Sequence, residues 1–136
     1  MIKWLLFLAL GLTVKQEAIS LSITVKGFDS NEGQAYIAIF NSNETFPTYG
    51  KQLKGRIVQI SDKRSTVVFH QLTPGNYAAA VYHDLNKNQQ LDKNLLGMPT
   101  EAYGFSNNAR AMFSAPSFND AKVYCSSDKQ ITITVK

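Results

Sequence analysis

A single cysteine, Cys125, stands in 136 residues, so the chain closes no disulfide on itself. With two histidines and no Cys/His cluster, a structural zinc site of the finger or ribbon kind is excluded. No Gly-x-Ser-x-Gly elbow, no cysteine with a partner histidine and no acid–base pair of carboxylates stands out, so hydrolysis has little support. Basic residues outnumber acidic ones, 14 to 10, giving +4 and a pI near 9.2, yet they are scattered and form no long run. A nucleic-acid footprint needs a clustered basic face, and none is present. Long apolar stretches are also missing. The longest, "WLLFLALGLTV" (4–14), has 11 residues, too few to span a bilayer as a helix. Outside it, no window carries a helical apolar stripe.

That short apolar run is informative. Preceded by "MIK" and followed by Ala18, it has the build of a secretory signal, and residues 1–18 are read as one. Gln16 occupies a position where a small residue is favoured, so cleavage after Gly11 and a retained anchor are the alternatives. Export implies a periplasmic or secreted protein with no transmembrane segment after processing. Residues 19–136 then form one domain. Lacking a disulfide, it relies on its own core, and Cys125 is read as a small buried hydrophobe.

From Ile19 the pattern has period two. Ile19, Leu21, Ile23 and Val25 alternate with Ser20, Ser22, Thr24 and Lys26, as in a half-buried strand. "QAYIAIFN" (34–41) is continuously apolar and rich in β-formers, which predicts a central strand covered on both faces. "RIVQIS" (56–61) and "RSTVVFHQL" (64–72) are further strands, and "TPG" (73–75) turns the chain. "NYAAAVYHD" (76–84) puts Tyr77, Ala79, Val81 and His83 on one face. Ala78, Ala80, Tyr82 and Asp84 take the other, where the small alanines suggest a closely packed further layer. "AKVYC" (121–125) and "QITITVK" (130–136) end the chain. About seven short strands joined by Gly, Pro and Asn turns describe an all-β, antiparallel sandwich. One long loop, 84–118, interrupts it. Loops of that length are usually functional, and its many apolar residues must dock on something.

The loop begins with "HDLNKNQQLDKN" (83–94). Asp84, Asn86 and Asn88 match the first, third and fifth positions of a calcium loop, with Gln90 supplying a carbonyl at the seventh and Asp92 at the ninth. The sixth position is Gln89 rather than Gly, and the twelfth is Leu95 rather than Glu. With few carboxylates, an affinity on the order of 0.1–1 mM is expected for Ca2+ at such a site. The competing reading is a series of Asx turns, each side chain capping its own backbone.

"LTPGNYAAAVYHDLNKNQQLDKNLLGMPTEAYGFSNNA" followed by "PSFNDAKV" resembles the DUF2141 family, exported bacterial β-sandwich proteins of unknown function. The shared words are Pro-Gly-x-Tyr, His-Asp, an Asn-rich loop, Leu-Gly-x-Pro, Tyr-Gly-Phe-Ser-Asn-Asn and Pro-x-Phe. Members commonly carry Gly where this chain has Gln89, which weakens the metal assignment more than the membership. The resemblance implies an immunoglobulin- or transthyretin-like sandwich outside the cytoplasm, and it implies no activity.

The expected role is a non-enzymatic binding or accessory module for a cell-envelope glycan or protein. Its binding-loop candidates are His83, Tyr103, Phe105, Asn107 and Asn108, whose segment mixes aromatics with small polar residues. The rival readings are a hydrolase using His83 and Asp84, which as strand neighbours point to opposite faces, and a purely structural envelope protein.

Overall fold

A computed structural model describes Gly11 and residues 16–91 and 100–136. Most of the 1–18 leader, together with Asp92, lies outside the described residues. Eight strands occur among those described: β1 (Ile19–Lys26), β2 (Gln34–Phe40), β3 (Lys54–Val58), β4 (Arg64–Leu72), β5 (Gly75–Asp84), β6 (Tyr103–Phe105), β7 (Val123–Cys125) and β8 (Lys129–Thr134). They form two sheets. One has the order β4-β1-β8; the other runs β3-β2-β5-β6, with β7 joined to the start of β5. No helix of the described residues is long and apolar enough to cross a membrane.

Alternation in β1 works as expected. Leu21, Ile23 and Val25 are fully buried, while Ser22 and Thr24 face outward and are partly exposed. They meet Ala35, Ile37 and Ile39 of β2 and Tyr77, Ala79 and Val81 of β5. Phe28, Phe69, Leu72 and Ile133 complete this inter-sheet core, whose burial is the main stabilising term of the fold. Cys125 is buried in the same core.

β2 and β5 do not alternate, because their other face is covered too. Ala38 and Phe40 of β2, Ala78 of β5 and Phe105 of β6 form a second cluster with Phe46 and Ala121. The 41–53 loop and the 106–121 segment supply the covering layer, and the alanines let it approach closely. Ser106 fastens it: its hydroxyl donates to the Ala121 carbonyl and accepts the Ala79 N–H at 2.9 Å.

Three features differ from the sequence reading. The eighth strand is β6, three residues within the supposed loop, too short for periodicity to reveal. A 3-10 turn follows it at Ser106–Asn108, and a one-turn helix at Phe118–Ala121 is capped by the Ser117 hydroxyl accepting from Asp120 N–H at 3.1 Å. Finally, β1 and β8 pair in parallel, Leu21 opposite Lys129 through Lys26 opposite Thr134. Apolar alternation carries no strand direction, so that pairing was invisible.

Candidate functional site

Strand register places three tyrosines in one row on the outer face of the larger sheet. Tyr36 stands opposite Tyr82, and Tyr82 opposite Tyr103. The Tyr36 and Tyr82 ring centroids are 5.2 Å apart with planes inclined at 35°. Tyr49, from the 41–53 loop, packs on Tyr36 at 5.5 Å. Beside the row, Phe46 packs edge-on against Phe40 and Phe105 at 5.4 and 5.8 Å. Gly55 of β3 makes room for the row, since a Cβ there would lie 2.7 Å from the Tyr36 hydroxyl.

Above this floor lies a hollow of about 630 Å3. Tyr36, Ala38, Ala80, Tyr82, Tyr103 and Phe105 contribute to its lining, as do Met112 and Phe113. The last two are 84% and 91% exposed, unusual for such apolar side chains. Every described residue lining the hollow is uncharged. Arg110 is held at one end of the row, its guanidinium over the Tyr103 ring at 4.8 Å from its centre and donating to the Tyr103 carbonyl at 2.7 Å.

Tyr82 is 8% exposed, and its buried hydroxyl has no hydrogen-bond partner among the described residues. Burial pushes its pKa far up, helped by the charge of Asp84, the phenols of Tyr49 and Tyr36, and the charge of Glu101. Burial also raises Tyr36, with Tyr49 adding to the effect. Both phenols are therefore neutral donors at ordinary pH.

The Asp84 loop opens at one end of the same sheet. Asp84 is fully buried. Its Oδ1 accepts the Asn88 N–H at 3.1 Å, and its Oδ2 accepts from Gln89 N–H at 2.6 Å and Gln34 Nε2 at 3.2 Å. Asn86 Oδ1 accepts the Asn88 N–H at 3.2 Å, and Asn88 Oδ1 accepts the Gln90 N–H at 2.9 Å. The Asn86 and Asn88 bonds, each to the N–H two residues on, are consecutive Asx turns as in the competing sequence reading, whereas Asp84 reaches four and five residues on. Lys87 and Gln89 adopt positive φ to follow the curve, and Glu101 Oε2 accepts the Leu85 N–H at 2.8 Å. Gly33 lies under the loop at φ +71°, where a Cβ would come within 2.3 Å of the Asp84 carbonyl. Among the described residues no group of three or more His, Cys, Asp or Glu side chains is gathered for a metal.

The other candidates separate. Tyr103 and Phe105 line the hollow, and Gln90 reaches its edge. His83 turns to the opposite side, into the core, edge-on to Phe28 at 5.0 Å; its Nε2 lies 2.6 Å from the Glu32 carbonyl, to which it donates as the N–H tautomer. Asn107 and Asn108 are staples. Asn107 Nδ2 donates to the carbonyls of Asp120 and Lys122 at 3.1 and 2.8 Å, and Asn108 Oδ1 accepts the Thr134 N–H at 2.9 Å. Tyr36, Tyr49 and Tyr82 escaped the sequence reading, which counted Met112 and Phe113 only among the apolar residues of the 84–118 loop. The available signal was the outward face of β2 and β5, where tyrosines alternate with alanines and leave space beside each ring.

No curated protein matches the chain. Two solved structures of the pilus-presented adhesin Spy0125 (Cpa) are weakly similar. One, a cysteine-to-alanine mutant, is 14% identical over 91% of this chain, with a TM-score of 0.26. The other, a second crystal form, is 12% identical over 86%, with a TM-score of 0.28. This chain spans only 28% and 27% of those adhesin chains. A family profile described as an uncharacterized protein conserved in bacteria matches residues 23–134, from within β1 to the end of β8, and the chain belongs to that family, DUF2141.

Proposed function

We propose that the protein is an exported, non-enzymatic binding module of the cell envelope that takes its ligand in the hollow over the tyrosine row. The observation that carries this reading is the in-register Tyr36–Tyr82–Tyr103 floor beneath about 630 Å3 of space. That volume is usual for small-molecule sites, which are mainly apolar with a few placed polar groups. A sheet supplies the floor, and three loop segments, around Tyr49, Gln90 and Met112, supply the walls. The rival acid–base pair has its members on opposite faces of β5, with His83 engaged by Glu32 and Asp84 by the loop backbone.

The test is to incubate the protein with envelope extracts, recover it, and identify bound small molecules by mass spectrometry. Unaltered ligand on the wild-type protein, lost in Ala80→Leu, which fills the floor, is the expected result. Ligand retained equally by the variant would place binding elsewhere. Chemically altered ligand would make the protein an enzyme, and the absence of any ligand would favour the purely structural envelope role.

A calcium ion remains the second reading for the adjoining loop, favoured by Asp84, Asn86 and Asn88 following one another on a tightly curved backbone. Asp92, the remaining acidic candidate, lies outside the described residues. A native-state site of millimolar affinity raises the unfolding midpoint by a few degrees at about 10 mM calcium. Equal midpoints in calcium and chelator would retire the ion.

A further inference from the structure

We propose that the ligand of this hollow is an uncharged, mainly apolar small molecule that presents one acceptor oxygen to the Tyr82 hydroxyl. The inference rests on the binding reading above and narrows it to a chemical class.

Four observations lead to it. First, the described lining residues carry no charge. A carboxylate, phosphate or ammonium group entering there would lose its hydration and gain no counter-charge from those residues. Second, the tyrosines do not form a cage for a cation. Tyr36 spends its ring on Tyr82 and Tyr49, at 5.2 and 5.5 Å, so the rings pack on one another rather than around a centre. Third, most of the lining is apolar and two of its polar side chains are already engaged, which disfavours a sugar, whose several hydroxyls each need a partner. Gln52 Oε1 already accepts the Gly50 N–H at 2.8 Å, and Ser114 Oγ donates to the Ala115 carbonyl at 3.2 Å. Fourth, one buried donor is left without a partner among the described residues. The Tyr82 hydroxyl is desolvated and unpartnered among the described residues, while the apolar Met112 and Phe113 stand exposed around the hollow.

The hydroxyl is shut off from water, so the ligand must displace a neighbour to reach it. Tyr49 is the movable one, 56% exposed on a loop and packed on Tyr36. Its ring swings outward, the apolar body of the ligand replaces it over Tyr36, and the acceptor oxygen meets the phenol. The buried donor thereby exchanges an unmet bond for a made one.

The test uses four probes on the full chain, followed by titration calorimetry: decan-2-one, decane, decanoate and the disaccharide maltose. The ketone and the alkane should bind, with decanoate and maltose at least about tenfold weaker. Tyr82→Phe keeps the ring and removes only the donor. It should weaken the ketone about fivefold, the weight of one hydrogen bond, and leave decane unchanged or tighter. Ala80→Leu should weaken both. Maltose or decanoate binding as tightly as the ketone would overturn the ligand class while leaving the binding module intact. A ketone that fails to bind, or that ignores Tyr82→Phe, would overturn the assignment of Tyr82. The extract experiment above fails separately, since it asks only whether any ligand occupies the hollow unaltered.

Discussion

Tyr36 and Tyr82 pack ring against ring across the β2–β5 pairing, 5.2 Å between centroids, on the face of the sheet that points away from the inter-sheet core. In a two-layer sandwich that face is ordinarily wet and polar. Here it is apolar, and the chain spends two loop segments covering part of it. The covering buries Phe46 and Ala121 and leaves Tyr36 and Tyr103 only half-buried. The hollow is the part of this second core left unfilled.

Tyr82→Phe should stabilise the protein without ligand. The buried hydroxyl has no partner among the described residues, and leaving such a group unmet costs about 1–3 kcal/mol. The phenyl ring keeps the contact with Tyr36. Urea unfolding followed by circular dichroism should show a midpoint raised by about 1 kcal/mol in stability at unchanged slope. A lowered midpoint would mean that the hydroxyl is bonded in solution.

How far the fold and site were legible depends on the distance over which each signal acts. The Ile19–Val25 alternation and the continuous apolar run Gln34–Phe40 are local, and both gave the right burial, one face for β1 and two for β2. β6 is three residues long and shows no period, so it vanished into a supposed loop. The hollow depends on register among β2, β5 and β6, which no local pattern contains. Thus the composition around Tyr103 and Phe105 marks them as candidates, while Tyr36 and Tyr82, the other two members of the row, read as ordinary strand residues. His83 was chosen because it borders the loop, yet strand parity sends it to the core.

Asp84→Ala should be among the most damaging single changes in this loop. Three donors converge on one fully buried carboxyl group: the N–H groups of Asn88 and Gln89 and the Gln34 amide. Removing it takes this acceptor from the Gln89 N–H and the Gln34 amide beside Gly33, while the Asn88 N–H keeps Asn86 Oδ1, at a cost of about 2 kcal/mol. Hydrogen exchange at the Gln89 amide should accelerate. The same variant measured in calcium and in chelator separates the two readings of the loop. A loss independent of calcium means that the backbone turns alone hold it, whereas a loss enlarged by calcium means that an ion contributes.

Alkaline pH should unfold the protein through its buried phenols. Tyr36, Tyr77 and Tyr82 all have pKa values raised above the ordinary 10.0, in each case chiefly by burial. Above pH 10 the unfolded chain releases protons that the native state still holds, so stability falls as pH rises. Below that pH the contribution is complete. Denaturant midpoints should be flat from pH 7 to about 8, decline slightly as the Cys125 thiol of the unfolded chain ionises, then fall further above pH 10 through the phenols, and Tyr82→Phe should make that later decline shallower. A decline of equal slope in the variant would remove Tyr82 from the set.

Cys125 offers an independent gauge of all these changes. It is fully buried opposite Gly75 where β7 meets β5, and burial raises its thiol pKa above 9.0 against a smaller downward pull from Lys129. A thiolate is needed for attack on a disulfide reagent, so the native cysteine is both shielded and protonated at neutral pH. Labelling must then proceed through opening of the fold, at a rate set by the population of the open state when closing is fast. The variants already described should reorder that rate. Tyr82→Phe, more stable by about 1 kcal/mol, should label about fivefold more slowly, and Asp84→Ala should label faster, wherever the opening is global. Identical rates in the wild type and both variants would mean that the thiol is reached by local fraying of the three-residue β7, and the covering of this core by that strand would then be far weaker than its burial suggests.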